Sequence, residues 1–347
     1  MVLNTDTATR RNVGGREQRE YFGPQSREKR EQKETPAVDV FLFRHSNRFA
    51  GPQEWDDPML TGLPDNKKPV NDDKELRPEG ELRAVDFGRI LEQDNYDEVI
   101  GYNTSENRTA VTEKKLAKGI TGEENKTETL RSSTYGEWMK NIKDPEVKKA
   151  LQIAMAQNKV ELAKLAPNYG LLDKKKRGEL GEAAEKIAFN KMLENPKVID
   201  SIAKMMSANM LMLRQQAEGR LTGGLTGRIA VPFVNHGGLN EAWLVKVLRR
   251  GGQKLNSIHD IGGMFSPLEG FKVSFEKEGK IVCKFLSPER QKLMGEGVEL
   301  TIDWAEVEAL ARAYEEDLKP APKAEPKKEE APTPVVKPVE PAAKKHH

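Results

Sequence analysis

Cysteine is nearly absent from this chain of 347 residues, because Cys283 is the only one. A single cysteine cannot form a disulfide within the chain or build a cysteine-based zinc site, which favours a reducing compartment. Long apolar runs are also lacking, and the start, from Met1 through Thr9, has neither the basic nor the apolar part of a secretory signal. We therefore expect a soluble, cytoplasmic protein.

An excess of either charge is lacking too. The chain carries 57 Lys and Arg against 55 Asp and Glu, a formal net charge of +2. This balance does not favour nucleic acid as a partner, so no specific nucleic acid is predicted. The positive excess lies in the two ends, which keeps salt-dependent nucleic-acid binding through those ends as a further hypothesis.

The two ends have compositions that do not favour a fold. Residues 1–36 are rich in Arg, Glu, Gln and Gly, with few large apolar residues, and predict a flexible N-terminal arm. Residues 318–347 repeat Lys, Pro, Ala, Glu and Val, and predict a disordered tail. The folded domain is expected over residues 37–317, and a protein partner that binds the flexible ends is left open.

Between the ends, apolar runs alternate with helical patterns. Strands are predicted over 38–43, 98–102 and 229–234, followed by helices over 77–92, 103–118 and 239–250. A hairpin over 271–285 and a helix over 303–318 close the domain. Such alternation indicates an α/β three-layer sandwich with a mostly parallel sheet and helices on both faces. Residues 138–225 show no convincing strand and predict a helical insertion, which could cap a site.

Three polar turns follow the three strands, and each carries side chains suited to phosphate. In open parallel sheets ligands bind beyond the carboxyl ends of the strands, so these turns are expected to converge. Guanidinium groups bind phosphoryl oxygens with paired hydrogen bonds, which makes Arg44, Arg48 and Arg108 a candidate phosphate clamp. The turns are Arg44-His45-Ser46-Asn47-Arg48, Ser105-Glu106-Asn107-Arg108 and Asn235-His236-Gly237-Gly238.

The two histidines of these turns have separate candidate roles. His45 lies between two arginines, whose positive charge favours the neutral imidazole that can attack phosphorus. His236 could stabilise the transferring phosphoryl group by hydrogen bonding, with Gly237 and Gly238 leaving room for close approach. This scheme requires no metal and no cofactor. Each motif alone is common on protein surfaces and in turns. Only the combination of the three motifs is specific for a phosphate site.

The combination resembles the histidine phosphatase superfamily, also called phosphoglycerate mutase-like. In that family one strand ends in Arg-His-Gly-x-x-Arg, a second turn carries Ser-x-x-x-Arg or a close variant, and a third carries His-Gly. The segment 76–80, Leu-Arg-Pro-Glu-Gly, is similar to the Leu-Thr-x-x-Gly start of the family's first helix. The resemblance covers residues 38–290 apart from the insertion. It implies a phosphohistidine at His45, transfer to water, and a phosphate pocket of Arg44, Arg48, Arg108 and His236.

Two positions depart from the family pattern. Ser46 stands where the family has glycine, and Ser132 stands where the family's acidic Glu is expected in a Leu-x-Glu-x-x-Tyr-Gly stretch. Hydrolysis needs a proton donor for the leaving oxygen. Glu137 is the first candidate for that donor, and the alternatives near other motif loops are Glu106, Asp56 and Asp57.

The sequence therefore predicts a metal-independent phosphomonoester hydrolase that acts through a phosphohistidine on His45, with a small phosphorylated molecule as substrate. The missing acid motivates an alternative, a phosphate-binding pseudophosphatase with a partner-binding or regulatory role. A mutase is less favoured, because mutases of this family use the Glu that is not found here. No motif identifies the substrate.

Overall fold

The structure is a computed structural model of the chain. It describes residues 35–46, 76, 78–104, 106–123, 127–129, 135–168, 171–295 and 297–319. The strands in these parts are β1 (Ala37–Arg44), β2 (Glu98–Val99), β3 (Gly101–Asn103), β4 (Thr127–Thr129), β5 (Arg228–Asn235), β6 (Leu248–Arg250), β7 (Gln253–Lys254), β8 (Gly270–Glu276), β9 (Ile281–Phe285) and β10 (Leu300–Ile302). The helices are α1 (Pro78–Leu91), α2 (Asn107–Thr121), α3 (Tyr135–Asn141), α4 (Pro145–Leu165), α5 (Lys174–Met192), α6 (Pro196–Thr222), α7 (Leu239–Val247), α8 (Pro288–Met294) and α9 (Trp304–Leu318).

The larger sheet has the strand order β4-β3-β5-β1-β8-β9, with β2 also paired to β5. Strands β1 to β5 pair in parallel, and the hairpin of β8 and β9 joins β1 in antiparallel fashion. The predicted hairpin is confirmed, and its position adds an antiparallel edge to a mostly parallel sheet. The predicted α/β fold class is also confirmed.

Both faces of β1 are buried, as expected for a strand in the middle of such a sheet. Val38, Val40 and Leu42 belong to a core that also contains residues of α6, α7 and α9. Phe41 and Phe43 alternate with them and pack with residues of α1 and α2 on the other face. A fully buried side chain of this size contributes about 1.5–3 kcal/mol, so the apolar run that precedes Arg44 fixes this strand firmly between two helical layers.

Three of the helices between β4 and β5, α4 to α6, begin at clear capping signals. Asp144, Asp173 and Asn195 each accept a hydrogen bond from a backbone N–H in the first turn of the helix that follows. These contacts satisfy amides that have no partner within the helix. Proline at the first position of α4 and α6 suits the same geometry. The start of each helix is therefore determined by its local sequence.

The helices of this segment pack in different places. α6 lies against the sheet, where Met205, Met206 and Met210 are fully buried. α4 packs against α5, and Asn190 of α5 accepts a hydrogen bond of 2.8 Å from the backbone N–H of Met264. The segment thus contributes one core helix and one helix that reaches the loops at the end of the sheet.

Several boundaries differ from the sequence prediction. The strand predicted over 98–102 is divided into β2 and β3, and the helix predicted over 103–118 runs from Asn107 to Thr121. The helix predicted over 239–250 ends at Val247, and Leu248–Arg250 forms β6, which pairs with β10 in a second, three-stranded sheet. Arg249 donates a 2.6 Å hydrogen bond to Asp303, just after β10. The pairing partner lies about fifty residues away in sequence, so the local helical pattern does not reveal it.

In the parts of the chain that the structure describes, no helix is both long enough and apolar enough to cross a membrane.

Candidate active site

The predicted turns meet at the carboxyl ends of β1, β3 and β5. Arg44 is opposite Asn235 in the parallel register, and Asn103 is opposite Val234. The residues that follow these strands therefore lie side by side. The ring centroids of His45 and His236 are 5.7 Å apart, with the ring planes at 68°.

The imidazole of His45 is held by its own turn. Its Nδ1 lies 2.8 Å from the carbonyl oxygen of Ser46, and its backbone N–H donates to the carbonyl of Asn235 at 2.9 Å. A carbonyl only accepts hydrogen bonds, so Nδ1 carries the hydrogen. In the neutral ring Nε2 then carries the lone pair, and it is the nitrogen suited to nucleophilic attack.

Ser46 stands at the family's glycine position and is fully buried. Its hydroxyl donates to the carbonyl of Gly80 at 2.7 Å, which links the turn to the start of α1. Its backbone N–H donates to the hydroxyl of Thr112 at 3.0 Å, which links the same turn to α2. The serine that departs from the family pattern therefore fastens the His45 turn to two helices.

His236 is part of a directed chain of hydrogen bonds. Arg108 can only donate, so its 3.3 Å contact with Nδ1 of His236 leaves the ring hydrogen on Nε2. Nε2 donates to the hydroxyl of Thr104 at 3.0 Å, and that hydroxyl lies 2.7 Å from the hydroxyl of Thr109. Thr109 in turn donates to the carbonyl of Glu106 at 2.7 Å. The chain fixes both the orientation and the tautomer of His236.

Arg44 is buried against the turn that contains His236. One of its terminal nitrogens donates to the carbonyl of Phe265 at 2.8 Å, and the other lies 3.3 Å from a carboxylate oxygen of Glu185 in α5. A Cβ at Gly237 would approach Nε of Arg44 to 3.1 Å. Glycine at this position therefore makes room for the arginine.

Glu241, in the first turn of α7, fixes the two loops around Arg44. Its carboxylate accepts a hydrogen bond of 2.9 Å from the backbone N–H of Gly238 and another from the backbone N–H of Phe265. Burial raises the pKa of Glu241, and the backbone amides of Phe265 and of Glu241 itself, together with the charges of Arg44 and Arg290, oppose the rise. Gly238 has a φ of 90°, a left-handed conformation that favours glycine. The turn after His236 is thus held in one shape.

Four of the predicted site residues come together in this way: Arg44, His45, Arg108 and His236. Arg48 and the side chain of Glu137 lie outside what the structure describes. Sequence reasoning missed Thr104 and Glu185 as members of the site. The only local signal for Thr104 is its position directly after β3, within the segment predicted as a helix over 103–118. Glu185 lies in a helical segment without a recognisable motif.

The described parts of the chain contain no group of three or more His, Cys, Asp or Glu side chains placed to hold a metal ion.

Comparison with known proteins gives no matching family model and no matching curated protein. Among solved structures, a Klebsiella phytase matches with 11% identity and a TM-score of 0.43, covering 84% of this chain and 97% of that chain. A Hafnia alvei phytase in complex with myo-inositol hexakis sulphate matches with 12% identity and a TM-score of 0.42, covering 82% and 98%.

A mycobacterial glucosyl-3-phosphoglycerate phosphatase in complex with VO3 matches with 13% identity and a TM-score of 0.30, covering 72% of this chain and 97% of that chain. All three TM-scores lie below 0.5. The functional assignment rests on the residues of the site.

Proposed function

We propose that the protein is a metal-independent phosphomonoester hydrolase in which Nε2 of His45 forms a phosphohistidine. The observation that carries this proposal is the 2.8 Å contact between Nδ1 of His45 and the carbonyl of Ser46. This contact places the lone pair of the neutral ring on Nε2. The ring of His236, bonded to Arg108, lies 5.7 Å away and provides the opposite wall of a phosphoryl site.

The cationic side chains of the site stabilise the negative charge on the oxygens of the transferring phosphoryl group. Arg44, Arg48 and Arg108 are the proposed phosphate clamp, and His236 is the proposed further donor. Fixed donors in a buried site stabilise charge strongly because they need no reorganisation during reaction. With its hydrogen on Nε2, His236 accepts from Arg108 at Nδ1. A phosphoryl oxygen between the two side chains would accept from Arg108, and it would accept from His236 in the imidazolium form, in which both ring nitrogens carry hydrogen.

The reaction has two halves. In the first, Nε2 attacks phosphorus and the bond to the leaving oxygen breaks, with a carboxylic acid supplying the proton. In the second, water attacks phosphorus, the N–P bond breaks, and inorganic phosphate is released. The class of substrate that fits is a small phosphorylated molecule.

Incubation with p-nitrophenyl phosphate and a chelator tests the proposal. We expect release of nitrophenol and an acid-labile phosphate on the protein, both of which disappear in His45→Ala. His259→Ala is a matched control, because the side chain of His259 is 62% exposed and lies beside the similarly exposed Glu194. Activity that survives in His45→Ala, or that requires added metal, would contradict the proposal.

A phosphate-binding pseudophosphatase with a partner-binding or regulatory role is the second candidate. One observation favours it: Arg44 is already paired with Glu185 and with the carbonyl of Phe265, so part of the clamp is neutralised. This candidate predicts measurable binding of inorganic phosphate by calorimetry together with no nitrophenol release and no phosphoprotein.

A further inference from the structure

Helix α5 brings a carboxylate into the phosphate clamp. An oxygen of Glu185 lies 3.3 Å from a terminal nitrogen of Arg44, whose side chain is only 2% exposed, while that of Glu185 is 17% exposed. The other terminal nitrogen of Arg44 donates to the carbonyl of Phe265. One arm of the guanidinium therefore holds backbone, and the other holds a carboxylate that still reaches solvent.

The position of Glu185 is supported by two further contacts of α5. Asn190 accepts a hydrogen bond from the backbone N–H of Met264, and a Cβ at Gly238 would lie 3.2 Å from the ring of Phe189. The same helix thus touches the loop after His236 and the loop that receives Arg44. Its carboxylate is held at the edge of the site by packing and not by the ion pair alone.

Glu241 is the other carboxylate close to Arg44, and its contacts exclude it from the reaction. It is fully buried, and its oxygens accept hydrogen bonds from the backbone of Gly238 and Phe265. A proton donor must reach the leaving oxygen of a bound ester. Glu185 is partly exposed beside the same arginine, so it satisfies the condition that Glu241 fails.

Resting on the proposed function, we propose that Glu185 is the proton donor to the leaving oxygen, supplied by α5. A phosphoryl dianion bound to Arg44 would pair with the positive charge of the guanidinium and would lie beside the Glu185 carboxylate. Two like charges at this separation favour protonation of the carboxylate. Substrate binding therefore makes Glu185 take up a proton from solvent water, which converts it from the counter-ion of Arg44 into a carboxylic acid next to the ester oxygen.

The steps balance with water as the only co-reactant. Nε2 of His45 attacks phosphorus, the P–O bond to the leaving group breaks, and the leaving oxygen takes the proton of the Glu185 carboxyl group. Water then attacks phosphorus while the Glu185 carboxylate removes its proton. The N–P bond breaks, its electron pair returns to Nε2, and inorganic phosphate leaves with Glu185 protonated again.

The dependence of kcat/KM on the leaving group shows whether Glu185 acts as an acid or only orients Arg44. Phenyl phosphate and p-nitrophenyl phosphate have similar shapes, but phenol is much the poorer leaving group. We expect Glu185→Gln to lower kcat/KM for phenyl phosphate by roughly 100-fold and for p-nitrophenyl phosphate by less than about tenfold. Glu185→Asp, which keeps an acid, should recover part of the loss on phenyl phosphate. Glu179→Gln makes the same change at an exposed position of α5 and should match the wild type.

The outcomes distinguish this proposal from the proposed function. An equal loss on both esters would assign Glu185 a positioning role and overturn the acid role, while phosphohistidine formation from p-nitrophenyl phosphate would show that the variant retains a working site. A loss confined to phenyl phosphate in Glu137→Gln, with Glu185→Gln unchanged, would assign the acid to Glu137 instead. A wild-type protein that neither releases phenol nor forms phosphohistidine would contradict the hydrolase and the acid together.

Discussion

The hydroxyl of Thr104 lies 3.0 Å from Nε2 of His236 and is the acceptor that fixes which ring nitrogen carries the hydrogen. Both residues are buried, so bulk water cannot take the place of either partner in this hydrogen bond. Since Arg108 donates to the opposite nitrogen, the imidazole is held from both sides in one tautomer. Thr104 therefore acts on the site through His236 and is a positioning residue.

Replacement of Thr104 by valine tests this relationship. Thr104→Val keeps the shape but leaves Nε2–H of His236 without its acceptor, which costs about 1–3 kcal/mol for a buried donor. If that cost falls on the transition state, kcat for p-nitrophenyl phosphate should drop by roughly 10-fold to 100-fold. Thr104→Ser keeps the hydroxyl and should retain most of the activity. A valine variant with unchanged kcat and an unchanged nitrogen NMR signature of His236 would contradict the role.

Arg108→Lys tests the clamp. Lysine keeps the charge but lacks the planar fork that can bind His236 and a phosphoryl oxygen together. We expect kcat/KM for p-nitrophenyl phosphate to fall by roughly 100-fold, as for loss of one fixed donor to the developing charge. Arg89→Lys is the control, because Arg89 is 66% exposed and its ion pair among the described residues is with the similarly exposed Asp86. Equal activity in the two variants would remove Arg108 from the site.

The strand-end motifs could be predicted from sequence because each is encoded locally. An apolar run followed by a polar turn places His45 and His236 at strand ends, and parallel pairing brings those ends together. Glu185 could not be predicted in this way. It reaches Arg44 across 141 residues of sequence, through the packing of α5 on the loops, and the sequence of α5 contains no recognisable motif.

The same limit explains the wrong end of the helix predicted over 239–250. Leu248 and Arg249 fit a helical pattern, but β10 offers them backbone hydrogen bonds from residues 300–302. Propensity is a weak signal when a distant strand can supply such partners. The serine at position 46 shows the converse case, in which an unexpected residue is explained only by its contacts with Gly80 and Thr112.

Gly238→Ala tests the turn after His236. Gly238 has a φ of 90°, where alanine is strained, and the new Cβ would lie 3.2 Å from the ring of Phe189. We expect loss of roughly 1–2 kcal/mol of unfolding free energy and reduced activity, measured by urea unfolding and nitrophenol release. Gly219→Ala in α6 is the matched control, because its Cβ would meet nothing within 4 Å. That change should be neutral or stabilise the helix by about 0.5–1 kcal/mol, and equal losses in both variants would refute the strain argument.

Glu113 of α2 makes stability depend on pH. Both carboxylate oxygens are buried without a hydrogen-bond partner among the described residues, in space left by the missing side chain of Gly101. Burial raises the pKa of Glu113 from its ordinary 4.5 to about 8, and the charge of Lys114 opposes this rise. At pH values between 4.5 and about 8, Glu113 is therefore protonated in the folded state and ionised in the unfolded state. Stability from this group is fully present below about pH 4.5 and is lost as the pH rises through about 8.

Glu113→Gln removes the titration and is the test. At about 1.4 kcal/mol per unit of pKa difference, the wild type should lose up to roughly 5 kcal/mol between pH 4.5 and pH 8 from this residue. The variant should lack this loss, so urea unfolding should find it less stable than or equal to the wild type at pH 5 and more stable at pH 8. Glu315→Gln, at an exposed position of α9, should follow the wild type at both pH values. If the difference between wild type and Glu113→Gln is the same at pH 5 and pH 8, the carboxyl is ionised in the folded protein and finds a partner there.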